Sequence, residues 1–72
     1  MDKKEALNKI DLLIDQVDHA GRFKGRAKLL SSLSEFYYLV NDYKTTKGFY
    51  KYITQEANSL VENAREKLNA GL

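Results

Sequence analysis

Apolar residues recur at intervals of three and four along three stretches of this chain, and nowhere do they alternate for long enough to predict a strand. Proline does not occur, so no stretch contains an obligatory helix break. The periodicity therefore predicts an all-α fold. The 72 residues have the size of one domain, 1–72, and the absence of cysteine leaves packed helices or self-association to supply its stability.

The first stretch predicts a helix over residues 2–19. Its apolar residues form a single stripe along one face, because intervals that alternate between four and three follow the helical repeat. The members of this stripe are Ala6, Ile10, Leu13, Val17 and Ala20. Gly21 comes next, and glycine readily adopts the left-handed conformation that follows many helix ends.

The second stretch predicts a helix over residues 24–43. Its stripe consists of Leu29, Leu33, Phe36 and Val40. The start is open, because Ser32 and Glu35 match a capping box that would begin the helix later. A start near Lys24 is favoured, since the apolar stripe already includes Leu29.

The third stretch predicts a helix over residues 46–69, with Thr45 or Thr46 as its N-cap. Its stripe consists of Phe49, Ile53, Ala57, Leu60, Ala64 and Leu68. Three helices joined by short connections predict an antiparallel three-helix bundle.

Positive charge is concentrated between the first two helices. Residues 20–31 contain four basic side chains and no acid, whereas the rest of the chain is acidic or balanced. We call these four the basic segment: Arg22, Lys24, Arg26 and Lys28. A local excess of this kind concerns partners more than fold.

Three interpretations of the basic segment follow from chemistry. The cations could pair with the acids that share one face of the first helix, Asp11, Asp15 and Asp18. They could instead contact nucleic-acid phosphates, with Phe23 stacking on a base. A third interpretation is docking on an acidic protein surface, where such charge accelerates association.

Seven of the eight aromatic residues lie between Phe36 and Tyr52. They could close one end of the bundle. Alternatively, the helical repeat turns Tyr38 and Tyr52 away from their stripes, and with Tyr43 they could form a contact surface, since tyrosine is enriched at binding hot spots. Leu12 is likewise expected on the back of the first helix.

The sequence offers little basis for catalysis or cofactor binding. His19 is the only histidine, and we expect it to interact with the carboxyl end of its helix rather than to act as a base. No Ser or Thr has a base and orienting group at a recognisable spacing. Carboxylates on one straight helix do not wrap a cation. We therefore expect no catalytic residue, no metal site and no cofactor.

These observations favour a small non-enzymatic interaction or regulatory protein. The expected partner is another protein, bound through Arg22, Phe23, Lys24, Arg26, Lys28, Tyr38 and Tyr52. One alternative is a DNA- or RNA-binding protein that contacts phosphates through residues 22–28. Another is a self-assembling unit, such as a homodimer that uses Leu12, Tyr38, Leu39 or Tyr52. The sequence lacks a span of about 18 to 20 apolar residues, so no membrane partner and a cytoplasmic location are expected.

Overall fold

Three helices pack into an antiparallel bundle in the computed structural model, which describes residues 1–42 and 47–70. They are α1 (Lys3–His19), α2 (Arg26–Asp42) and α3 (Lys47–Ala70). The predicted all-α bundle is therefore confirmed. The predictions for Tyr43, Thr45 and Thr46, and for the side chain of Leu68, lie outside the described residues.

The helix boundaries differ from the predicted ones for local reasons. Asp2 is the N-cap of α1 and not its first residue, because its side-chain Oδ1 accepts a hydrogen bond of 2.8 Å from the Glu5 N–H. The helix α2 begins at Arg26 rather than near Lys24, because Gly25 has a positive φ of 86° that a right-handed helix cannot contain. The capping-box interpretation is also wrong, since Ser32 lies inside α2.

The core is built from the predicted stripes. Its buried members from α1 and α2 are Ala6, Ile10, Leu13, Val17, Leu29, Leu33 and Val40. From α3 it takes Tyr50, Ile53, Ala57 and Val61, of which Tyr50 and Val61 were not in the predicted stripe. Ala20 is exposed, because it caps α1 instead of continuing its stripe.

The aromatic residues divide between core and surface. Tyr50 is buried, and Phe36, Tyr37 and Phe49 are half-buried against the core. Tyr38 is 64% exposed and Leu12 on α1 is 62% exposed, as the helical repeat predicted for both.

One polar side chain, Thr54 on α3, is buried among the described residues. Its hydroxyl lies 3.0 Å from the Tyr50 carbonyl oxygen and 2.9 Å from that of Lys51, so it donates within its own helix. The buried hydroxyl is therefore hydrogen-bonded within α3. In residues 1–42 and 47–70, no helix has the length and apolar character that crossing a membrane requires.

We expect Leu33→Ala to lower the free energy of unfolding by about 2–5 kcal/mol, because it removes a fully buried side chain and leaves a cavity. Urea denaturation measures the change. Ile10→Val, a smaller truncation of the same core, should cost about 0.5–1.5 kcal/mol. The exposed control Leu12→Ala should change stability by less than about 0.5 kcal/mol. Equal losses at Leu33 and Leu12 would contradict this core.

Candidate functional site

The connection between α1 and α2 turns twice at glycine. The helix α1 ends at Ala20, whose N–H donates to the carbonyls of Gln16 and Val17. Gly21 follows with a φ of +83°, which confirms the predicted stop, and Gly25 has a φ of +86°. The connection therefore contains Arg22, Phe23 and Lys24, flanked on each side by a glycine in the left-handed conformation.

The second turn starts α2. The Gly25 carbonyl accepts a hydrogen bond of 2.9 Å from the Leu29 N–H, which makes Gly25 the N-cap residue. The Arg26 N–H donates to the Phe23 carbonyl at 3.2 Å. Phe23 is half-buried and packs against the core, so its ring anchors the connection.

One member of the basic segment folds back on α1. The Arg26 Nη2 lies 2.7 Å from the Asp18 Oδ1. The Arg26 side chain is 31% exposed, and its buried Nε has no hydrogen-bond partner within residues 1–42 and 47–70. The pairing interpretation therefore holds for Arg26, and in this part of the chain no ion pair involves Arg22, Lys24 or Lys28.

A groove of about 780 Å³ lies between the beginning of α2 and the last turns of α3. Three lysines, Lys24, Lys28 and Lys67, line it, and no acidic side chain does. The remaining lining residues are mostly apolar or small: Phe23, Gly25, Leu29, Ser32, Leu60, Asn63 and Ala64. We call this feature the basic groove. It offers an apolar surface together with three cations.

The structure brings together only some of the predicted binding residues. Phe23, Lys24 and Lys28 meet in the basic groove. Arg22 is exposed but does not line the groove. Tyr38 is on α2, and Tyr52, which is 57% exposed, is on α3. The binding role of these residues stays a prediction.

Sequence reasoning missed the wall that α3 contributes. Leu60 and Ala64 were assigned to the core stripe, yet both are half-buried and also line the basic groove. Lys67 follows them at the same helical spacing, so it lies on the same face. The position of Lys67 beside the apolar stripe of α3 could have indicated this. Counting charges along the sequence, however, drew attention only to residues 20–31.

His19 interacts with the end of its own helix, as the sequence predicted. Its Nδ1 donates to the Asp15 carbonyl oxygen at 2.8 Å and lies 3.4 Å from the Asp15 carboxylate. The hydrogen bond to the backbone, and then the nearby carboxylate, raise the pKa of His19 above its ordinary value. His19 is therefore part of the α1 terminus and not of the basic groove.

The acidic face of α1 forms a shallow depression of about 380 Å³. Asp11, Asp15 and Asp18 line it with Leu12 and Ile14. Within the described part of the chain, no three carboxylates or imidazoles converge in a way that could hold a metal ion. Asp18 and Asp15 are each engaged by a neighbouring cation or imidazole.

Comparison with known proteins gives no family for this chain. A scan against protein-family models, a search of curated proteins and a search of solved structures each found no match.

We expect Gly25→Ala to lower the free energy of unfolding by about 1–2 kcal/mol, because a positive φ brings Cβ too close to the following carbonyl. An added Cβ would meet nothing within 4 Å, so backbone conformation alone causes the loss. Gly25→Asn is the control, since asparagine tolerates this conformation better. Thermal denaturation of the wild type and the two variants measures both effects. A lower melting temperature for Gly25→Asn than for Gly25→Ala would contradict the conformational cause.

We expect the His19 ring to titrate above pH 6.5, the ordinary value, with the midpoint measured by proton NMR. A raised folded pKa means that His19 stabilises the protein below pH 6.5 and that this contribution is lost as the pH rises through the folded pKa. The melting temperature of the wild type should therefore exceed that of His19→Gln in acid, with the difference disappearing in alkali. A constant difference across this range would contradict the assignment.

Proposed function

We propose that this protein is a non-enzymatic interaction module that binds an acidic, partly apolar segment of another protein in the basic groove. The observation that carries the proposal is the composition of the groove: Lys24, Lys28 and Lys67 surround an apolar floor without any acidic side chain. A carboxylate of the partner gains attraction from these cations, and its apolar side chains gain contact with Leu29, Leu60 and Ala64.

The positions of the three lysines support charge recognition. They come from two separate parts of the chain, since Lys24 and Lys28 lie just before and within the start of α2 and Lys67 lies near the end of α3, and they converge on one depression. Their side chains are exposed, so each ammonium remains solvated until a partner arrives. Exposed charges of this kind act mainly on the rate of association and on the choice of partner.

The floor of the groove favours a protein segment over a nucleic acid. Single-stranded nucleic acids are held by aromatic rings on which bases stack, together with cations that follow the backbone. Here the one aromatic ring, Phe23, is packed against the core, and the other apolar contacts are aliphatic. Arg26, which the phosphate interpretation needs, is paired with Asp18.

The test is a titration of the full chain with a fluorescent amphipathic peptide that alternates glutamate and leucine on one helical face. We expect Lys24→Glu/Lys28→Glu/Lys67→Glu to weaken binding by about tenfold or more, equivalent to about 1.4 kcal/mol. The wild-type affinity should also fall as salt is added, because the lysines are exposed.

A control variant keeps the same net charge as the groove variant. Lys3→Glu/Lys9→Glu/Lys51→Glu alters three exposed lysines that do not line the groove, and it should retain the wild-type affinity. If both variants lost affinity equally, net charge alone would explain the effect, and binding in the basic groove would be contradicted. A random-sequence oligonucleotide is titrated in parallel. Tighter binding of the oligonucleotide, lost in the groove variant, would replace the protein partner with a nucleic acid.

A further inference from the structure

The face of α2 that lines the basic groove continues beyond it. Lys28 and Leu39 are eleven residues apart, which corresponds to three helical turns with only about 20° of rotation left over. Leu39 therefore lies on the same face as Lys28, about 16 Å further along the helix. Its side chain is 37% exposed, so part of its apolar surface is open to a partner.

The face of α3 that lines the groove continues in the same spatial direction. Tyr52 precedes Asn63 by eleven residues, so the two share a face by the same geometry. Because α2 and α3 are antiparallel, a step forward along α2 and a step backward along α3 lead to the same end of the bundle. Leu39 and Tyr52 thus both border the outer seam between α2 and α3, away from the lysines.

Two acidic residues occupy the middle of this seam. Glu35 follows Lys28 by seven residues and Glu56 precedes Asn63 by seven, which leaves each on the groove-lining face of its helix. Both are exposed. The seam is therefore divided along its length into a basic end at the groove, an acidic middle and an apolar end at Leu39 and Tyr52.

We propose that the partner segment is a helix that lies along the whole α2–α3 seam. Its acidic residues contact the lysines, and its apolar side chains at the other end contact Leu39 and Tyr52. This inference rests on the proposed function, and it adds the conformation and charge order of the partner. A second copy of the chain, or a segment bound only at the groove, would be a different occupant.

The geometry of the seam suits a helix. Two neighbouring helices present a shallow furrow into which the side-chain ridges of a third can pack at 8–10 Å between axes. Filling it here would extend three helices to the four of a standard bundle. The distance from the lysines to Leu39 corresponds to a partner helix of about 16–18 residues once the groove itself is included. Such a helix could contact the basic end, the acidic middle and the apolar end of the seam, with its basic residues opposite Glu35 and Glu56.

The probe is a synthetic amphipathic peptide of about 18 residues with acidic, basic and apolar thirds in the order that the seam requires. Its acidic third is placed at its C-terminus, where the negative end of the helix dipole adds to the attraction of the lysines. A second peptide of about nine residues contains the acidic third and the adjoining half of the basic third, so it reaches the basic groove alone. Fluorescence anisotropy with the full chain gives both affinities.

We expect Leu39→Ala/Tyr52→Ala to weaken binding of the long peptide by about tenfold, since apolar anchors dominate interface affinity. The short peptide should bind this variant as it binds the wild type. The control is Leu12→Ala, which removes an exposed leucine from a position outside the seam. It should leave both affinities within about twofold. Far-ultraviolet circular dichroism establishes that all variants remain helical.

The outcomes separate this inference from the proposed function. If both peptides bind through the lysines but the long peptide gains nothing from Leu39 and Tyr52, the seam is overturned and the groove proposal stands. If neither peptide binds, both are overturned. Sedimentation of the protein alone measures its oligomeric state. If the protein self-associates and Leu39→Ala/Tyr52→Ala abolishes this, the seam binds a second copy of the chain and the partner-helix proposal is overturned.

Discussion

The left-handed backbone at Gly21 and Gly25 determines the arrangement of the basic side chains. With a helical residue at Gly25, α2 would begin earlier and Lys24 would point from a helix rather than from a turn. The turn instead places Phe23 against the core and Lys24 beside the end of α3. The left-handed conformation of Gly25 thus lets part of a run of basic residues, spaced at every second position, line one side of the groove.

The pair between Arg26 and Asp18 completes this arrangement by joining the start of α2 to the end of α1. Asp18 is largely exposed, and a pair of this kind contributes little net stability. The pair instead affects how positive charge is distributed over the surface. Arg26 is held against α1, whereas Lys24 and Lys28 lie on the side of α3. The charge that reads as one cluster in the sequence is therefore divided between two surfaces.

Periodicity predicted most of the core because the buried apolar side chains, apart from Tyr50 and Val61, belong to stripes that the helical repeat defines without reference to other helices. Ile10 and Leu33 can be assigned in this way, and so can the outward position of Tyr38. The basic groove could not, because it requires α2 and α3 to meet in a particular register. Lys67 is 39 positions from Lys28 in the sequence. Only packing brings the two side chains to one depression.

Exposure alone does not identify a binding surface in a bundle of this size. Leu12, Tyr38 and Tyr52 are exposed to similar degrees, and isolated apolar side chains on a surface are common. What distinguishes Tyr52 and Leu39 is continuity, since they extend the faces that already form the groove. A protein with a small core has few large apolar residues. Leu39 and Tyr52 lie in line with the three lysines, so charged and apolar contacts are available along one seam. That alignment, and not the number of exposed residues, is the physical basis for the proposal that a partner binds along α2 and α3.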